Sequence, residues 1–251
     1  MGLRRLLKQR RKKQAADRMT RLDTSHAEPD GDDQGTRQII NLLNYTKRSV
    51  SAYAGADYEV GYHSFTINGK HLGGQRDPEQ RLAKADYDFS GKTVLDIGCN
   101  QGGMLFPIVE RIAHGIGIDY DSRMINAANR IRSYQRASNL DFYVFDLQTE
   151  RLEFIKDFLP DDKVDICFLL SVCMWLTNWR DVVEFARDVS DTLLFESNGK
   201  PEQQDEQIGF LNELYESVRL LSDMSDDDPG LKTRKLLICS DARPGEQHAG
   251  G

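Results

Sequence analysis

The sequence predicts an α/β fold built on a seven-stranded, largely parallel sheet, and three observations carry that expectation. Short β-rich apolar runs alternate with helical patterns from Gly91 onward. One of these runs, Val94-Leu95-Asp96-Ile97, breaks into the glycine turn Gly98-Cys99-Asn100-Gln101-Gly102-Gly103. The next two runs each end on an aspartate, Asp119 and Asp146. Alternation of this kind gives a parallel sheet because right-handed crossovers lay the helices over its faces. A length of 251 residues suits one core with appendages.

Taken in order, residues 1–36 read as a flexible tail that is basic and then acidic. Leu3, Leu6 and Leu7 fall at i, i+3 and i+4 among seven basic residues of 1–14, while 23–36 are rich in Asp and Gly. The short amphipathic helix this implies is either a dock for an anionic membrane surface or a partner, or a solvated, frayed end. Residues 37–89 open with helical promise and continue into aromatic and glycine-rich irregular sequence, read as an N-terminal lid or accessory segment. The core domain is placed at 90–241, with a flexible tail at 242–251. Its seven strands are predicted at 93–97, 115–119, 142–145, 164–171, 192–195, and near 218–221 and 235–239. Helices are predicted from the glycine turn through Ile112, from Ser122, after Asn178 and near 206–216. The helix from Ser122 buries Met124, Ala128 and Ile131, and the one after Asn178 buries Val182, Ala186 and Val189. Asn178 is the expected N-cap.

Charge divides the chain. Residues 1–21 hold nine Lys/Arg and one Asp, or +8, so the remaining 24 Lys/Arg and 39 Asp/Glu give −15. An acidic body argues against a broad phosphate-tracking groove, since clustered Lys/Arg supply non-specific nucleic-acid affinity. The four cysteines, Cys99, Cys167, Cys173 and Cys239, sit mostly in apolar runs without metal-ligand spacing, so neither a zinc site nor a disulfide framework is expected. Residues 166–176, apolar except for Ser171, are too short to cross a bilayer, and the N-terminus lacks a signal peptide's apolar stretch. A cytoplasmic protein is expected, peripheral to a membrane if the basic helix docks there.

The glycine turn after a buried strand needs residues without a Cβ, because the backbone turns sharply and approaches a ligand closely. Alone it would serve a nicotinamide dinucleotide equally well. In detail it resembles motif I of class I S-adenosylmethionine-dependent methyltransferases. That resemblance covers roughly residues 90–240 and implies a Rossmann-like sheet of order 3-2-1-4-5-7-6 with the last strand antiparallel. It also implies that Asp96, a cofactor-site residue at the strand end, orders the turn, while Gly98, Asn100 and Gly102 face the amino-acid part of S-adenosylmethionine. Asn100 stands where the family often has glycine, and Asn tolerates left-handed backbone second best. Asp119, with Tyr120 beside it, ends the next strand where a carboxylate can accept both ribose hydroxyls. Asp146 and Leu147 look like the family's adenine contacts, and Ser171 ends the fourth strand. Capping or turn roles for Asp119 and Asp146 are the plainer alternatives.

Ligands of open α/β sheets sit over the carboxyl ends of the strands, so the acceptor should meet residues after strands four and five and the lid. Trp175 is the expected wall, Glu196 and Asn198 the polar contacts, and Arg76 the lid's contribution. Helix packing for Trp175 and a salt bridge for Glu196 are equally good readings. His63 and Glu196 are the available general bases for a hydroxyl acceptor, whereas a phosphate would need only positioning by Arg76 or Arg81. Arg81 itself reads better as a solvated helix charge. No metal is expected. Asp96-Ile97-Gly98-Cys99-Asn100, Asp119-Tyr120-Asp121-Ser122-Arg123-Met124-Ile125 and Ser171-Val172-Cys173-Met174-Trp175 resemble the RNA methylphosphate capping family. Tyr62-His63-Ser64-Phe65, Gly74-Gln75-Arg76-Asp77 and Gly91-Lys92-Thr93-Val94-Leu95-Asp96 resemble bacterial methyltransferases related to the tRNA wobble-uridine carboxymethyltransferase, some acting on saccharides or other small molecules. The acidic body favours a small-molecule or membrane-associated acceptor, saccharides included, methylated at oxygen. RNA is the alternative, and a module that binds S-adenosylmethionine without turnover is the second.

Overall fold

The computed structural model describes residues 34–49, 58–225 and 234–241. The basic helix expected in 1–14 and the tail 242–251 lie outside them. The first helix, α1 (Gln34–Thr46), begins inside the segment expected as tail, and it does so because Ile39 and Leu43 give it an apolar stripe to bury.

The accessory segment has more regular structure than its composition suggested. Strands β1 (Phe65–Ile67) and β2 (Lys70–Leu72) form an antiparallel hairpin with Ile67 opposite Lys70. Its two turn residues, Asn68 and Gly69, have φ of 52° and 72°. Left-handed backbone at both positions matches the twist of the flanking strands, and Asn-Gly is the dipeptide that adopts it most readily. A short helix, α2 (Pro78–Ala83), follows. The Asp77 carboxylate caps it by accepting from the amides of Glu79 (3.0 Å) and Gln80 (3.3 Å), and Pro78 at the first position lacks the amide that would otherwise be unsatisfied.

Seven strands then make the main sheet: β3 (Thr93–Ile97), β4 (His114–Asp119), β5 (Leu140–Val144), β6 (Val164–Leu170), β7 (Ser190–Glu196), β8 (Ser217–Ser222) and β9 (Leu236–Ser240). Their spatial order is β5-β4-β3-β6-β7-β9-β8. Counted along the sheet's own strands this is 3-2-1-4-5-7-6, as the resemblance implied. Only β9 runs antiparallel, to both β7 and β8. Helices α3 (Ser122–Gln135), α4 (Trp179–Val189) and α5 (Pro201–Leu214) cover the sheet. One face buries Val94, Ile166 and Phe168 under α1, α3 and the hairpin; the other buries Leu95, Cys167 and Leu169 under α4 and α5. Strand β6 is apolar on both faces because it is covered on both.

Two local expectations are corrected. No α-helix runs to Ile112: residues 101–111 form successive tight turns around a 3-10 turn at Phe106–Ile108. The left-handed Gly102 and the proline at 107, which lacks an amide for a helical bond, account for this. Asn178 precedes α4 but does not cap it; its side-chain amide donates instead to the Leu147 carbonyl at 2.8 Å, joining the ends of β5 and β6.

Candidate active site

Register brings the functional residues to one edge of the sheet. Asp96 pairs with Gly117, Asp119 with Val144 and Ile97 with Leu169, so the ends of β3, β4, β5 and β6 are level. Glu196 lies opposite Leu170 at the same edge.

The turn after β3 is held open by its glycines. Gly98, Asn100 and Gly102 have φ of 77°, 53° and 75°. A Cβ on Gly98 would lie 2.6 Å from Val172, and one on Gly102 2.5 Å from the Phe142 ring. Asn100 accommodates its position by bonding: its amide donates to Asp119 at 3.0 Å, and its side-chain oxygen accepts from the Gln101 amide at 2.9 Å. Beneath the turn, Asp96 is buried and one carboxylate oxygen has no hydrogen-bond partner. Burial raises its pKa to about 7, with Asp119 adding to the effect and Arg81 opposing it. Asp119 is pushed up to about 6 by burial, against the pull of the Asp121 and Asn100 amides it accepts from. Tyr120 beside it is exposed, Leu147 is buried, and Asp146 lies half-buried in a turn, accepting from the Gln148 amide at 3.0 Å.

These features fit S-adenosylmethionine. A backbone without side chains in the way, an unpartnered carboxylate oxygen suited to an ammonium group, and a second carboxylate at the next strand end match its amino-acid and ribose parts. Gln101, which the sequence reading passed over, ties this turn to the lid: its amide donates to Thr46 Oγ1 (2.6 Å) and the Val60 carbonyl (3.4 Å).

The other half of the edge is built around Glu196. Arg76 and Arg81 each reach the same carboxylate oxygen at 2.6 Å, the Ser171 hydroxyl donates to it, and Arg234 approaches at 3.9 Å. Burial alone would raise the Glu196 pKa, but Arg81, Arg76 and Ser171 bring it down to about 2. Clamped by cations and lowered in pKa, Glu196 has the geometry of the salt-bridged acid that is the alternative to its expected general-base role. Arg81 is a correction, for it is 6% exposed and not a solvated helix charge. Arg76 is fully buried and also donates to Ser225 at 2.7 Å. Arg234 was missed because nothing in its local sequence distinguishes it; it donates to Ser171 Oγ at 3.1 Å from just before β9. Ser171 itself has φ of 62°, an uncommon backbone for serine, fixed by its amide bond to the Glu196 carbonyl.

His63 lies inward from the lid, 2% exposed, on the face of Gly103, where a Cβ would come within 2.4 Å of it. Both ring nitrogens are buried without hydrogen-bond partners. Burial first, then Arg81 and Arg76, holds its pKa well below the usual value. Asn198 is committed to the scaffold in place of an acceptor contact: its side chain accepts from the Met174 amide at 2.9 Å and donates to the Ser171 carbonyl, while its backbone bonds with Gln207. Trp175 stands 54% exposed at the rim of the same edge, which removes the packing alternative.

The fold and the glycine-carboxylate turn define a domain that takes S-adenosylmethionine. Comparison agrees: residues 95–193 match the family model described as a methyltransferase domain. The chain carries a class I S-adenosylmethionine-dependent methyltransferase domain. It is 33% identical over 96 residues, 38% of its length and 32% of the relative's, to trans-aconitate 2-methyltransferase of Rhizobium rhizogenes. The chain's matches span about a third of the length of such curated relatives. In fold it is similar to WbdD, with a TM-score of 0.56 and 21% identity over 68% of this chain and 42% of that one. It is also similar to the N-terminal domain of EvdMO1, crystallised in the presence of SAH and D-fucose. That TM-score is 0.58, with 12% identity over 84% of this chain and all of the other. Among the described residues no helix is long and apolar enough to cross a membrane.

Proposed function

We propose that the chain transfers a methyl group from S-adenosylmethionine to an oxygen atom of a small-molecule or membrane-associated acceptor of the saccharide class. The observation that carries the reading is the union, at one sheet edge, of the glycine turn with Asp96 and Asp119 on one side and the Glu196 cluster with His63 on the other. When bound, the cofactor supplies a methyl group on a cationic sulfur that is already a good leaving group. The chain is then left to bind, align and exclude water.

In this reading Asp96 and the 98–102 turn hold the amino-acid part, Asp119 the ribose, and Tyr120, Asp146 and Leu147 the adenine. Ser171 shapes the turn over which the acceptor lies, with Trp175 as its outer wall. Arg76 and Glu196 fix the floor. The D-fucose present with the EvdMO1 domain supports a saccharide acceptor, and the basic residues 1–14 support a membrane-associated one. The test is formation of S-adenosylhomocysteine by the full chain with methyl-labelled cofactor, in the presence of free saccharides and of saccharides carried on vesicles. Label should move to the saccharide. Cofactor binding with no transfer to any of them would favour a non-catalytic binding module.

A further inference from the structure

Among the described residues the acceptor half of the edge is cationic, and its two candidate bases, Glu196 and His63, are both weakened by the arginines, which restricts the oxygen that can be methylated. A neutral hydroxyl must lose a proton as it attacks, so it needs a nearby base whose conjugate acid is tolerated. Among the described residues there, Glu196 is ionised and held by three guanidiniums and a hydroxyl, and His63 lies where Arg81 and Arg76 oppose a further positive charge. Asp96 belongs to the cofactor turn. Beside the cluster, a cleft between α2 and the end of β8 is lined by Arg81, Lys84, Ser222 and Ser225 together with the carboxylates of Asp77 and Glu196. Arg234 reaches Ser171 Oγ and the same Glu196 carboxylate and keeps a buried Nε that has no hydrogen-bond partner, its side chain only 13% exposed.

We propose that the oxygen methylated is already an anion, a carboxylate or phosphate oxygen of the acceptor, received by Arg234, Arg81 and the hydroxyls beside Glu196. This rests on the methyltransferase reading and names its substrate class. The chemistry balances without a base. A lone pair of the oxyanion forms the new O–C bond, the C–S bond breaks with its electron pair remaining on sulfur, and no proton is transferred. Acceptor and sulfonium each lose one unit of charge. Arginine suits this task because it stays cationic when buried and presents a planar fork to two oxygens.

The experiment titrates the full chain, saturated with S-adenosylhomocysteine, with inorganic phosphate and with acetate. In parallel, methyl transfer is followed to glucose 6-phosphate, glucuronate and glucose. One of the two anions should bind, and the sugar bearing that group should be methylated in preference to glucose. A carboxylate methyl ester releases methanol in mild alkali and a phosphate ester does not, which separates the two sources. Arg234→Gln should weaken anion binding about 10- to 150-fold, the range for one charge-assisted hydrogen bond, with Arg234→Lys recovering part of it and cofactor affinity unchanged in both. Failure of both anions to bind, or glucose methylated as well as its charged derivatives, would overturn the inference while leaving the methyltransferase reading intact. Failure of the wild-type chain to bind the cofactor would instead overturn that reading.

Discussion

The two halves of the carboxyl edge are opposites. Around β3 and β4, carboxylates are buried with few partners: Asp96 has an unpartnered oxygen and a pKa near 7, and Asp119 one near 6. Around β6 and β7 the carboxylate Glu196 is oversupplied with donors and sits near 2. The same chemical group is thus left needing a donor where a cationic cofactor would bind, and spent on the scaffold where an acceptor would bind. What distinguishes them is what the neighbouring elements bring, glycines and backbone on one side and arginines from α2 and the chain before β9 on the other.

Breaking the acceptor half should cost the most stability. Glu196→Gln leaves three guanidiniums around a neutral group, and denaturant unfolding should show a loss of about 3–5 kcal/mol, the usual cost of removing one partner from a buried ionic cluster. The same cluster predicts acid sensitivity. Because the Glu196 pKa is lower in the folded chain than in the unfolded one, its stabilisation is complete above about pH 4.5 and is lost as pH falls towards 2. The Gln variant should lack that part of the acid limb; an unchanged limb would place the sensitivity elsewhere.

Breaking the cofactor half should cost affinity and little stability. Asp119→Ala should weaken S-adenosylmethionine binding by about 1.5–3 kcal/mol by calorimetry, the range for hydrogen bonds to a charged group. An unchanged dissociation constant would remove Asp119 from the ribose role. Asp96 predicts the direction of a pH effect. Protonated below about 7 in the free protein, it must ionise to accept a cationic group, so affinity should rise as pH passes upward through 7. Asp96→Asn should flatten that rise. The smallest effect is expected at Trp175: Trp175→Ala, at an exposed rim, should change folding stability by no more than about 0.5 kcal/mol, while reducing acceptor turnover if the wall is used.

The cofactor half was legible in the sequence because its information is local. A strand, a glycine turn and the next strand's terminal Asp119 lie within 30 residues, and each part has a backbone reason for its residue type. The sheet order followed from the same pattern. The hairpin at Asn68-Gly69 and the cap at Asp77-Pro78 were equally local and were overlooked in a segment that looked irregular. The acceptor half was not legible in this way: Arg76, Ser171, Glu196 and Arg234 are brought together only by the crossing of β6, β7 and β9, and no spacing announces it. Pro107 and Gly102 did announce the break in the helix expected through Ile112.

In the proposed reading this edge is one active site, with the cofactor on the β3–β4 side and the acceptor over β6–β7. A crystal structure of the full chain with S-adenosylhomocysteine tests it most directly. The ribose should lie on Asp119, the amino-acid part on the 98–102 turn, and the sulfur should face the cluster of Glu196, Arg234 and His63. Ligand bound elsewhere, or with its sulfur turned away from β6 and β7, would contradict it.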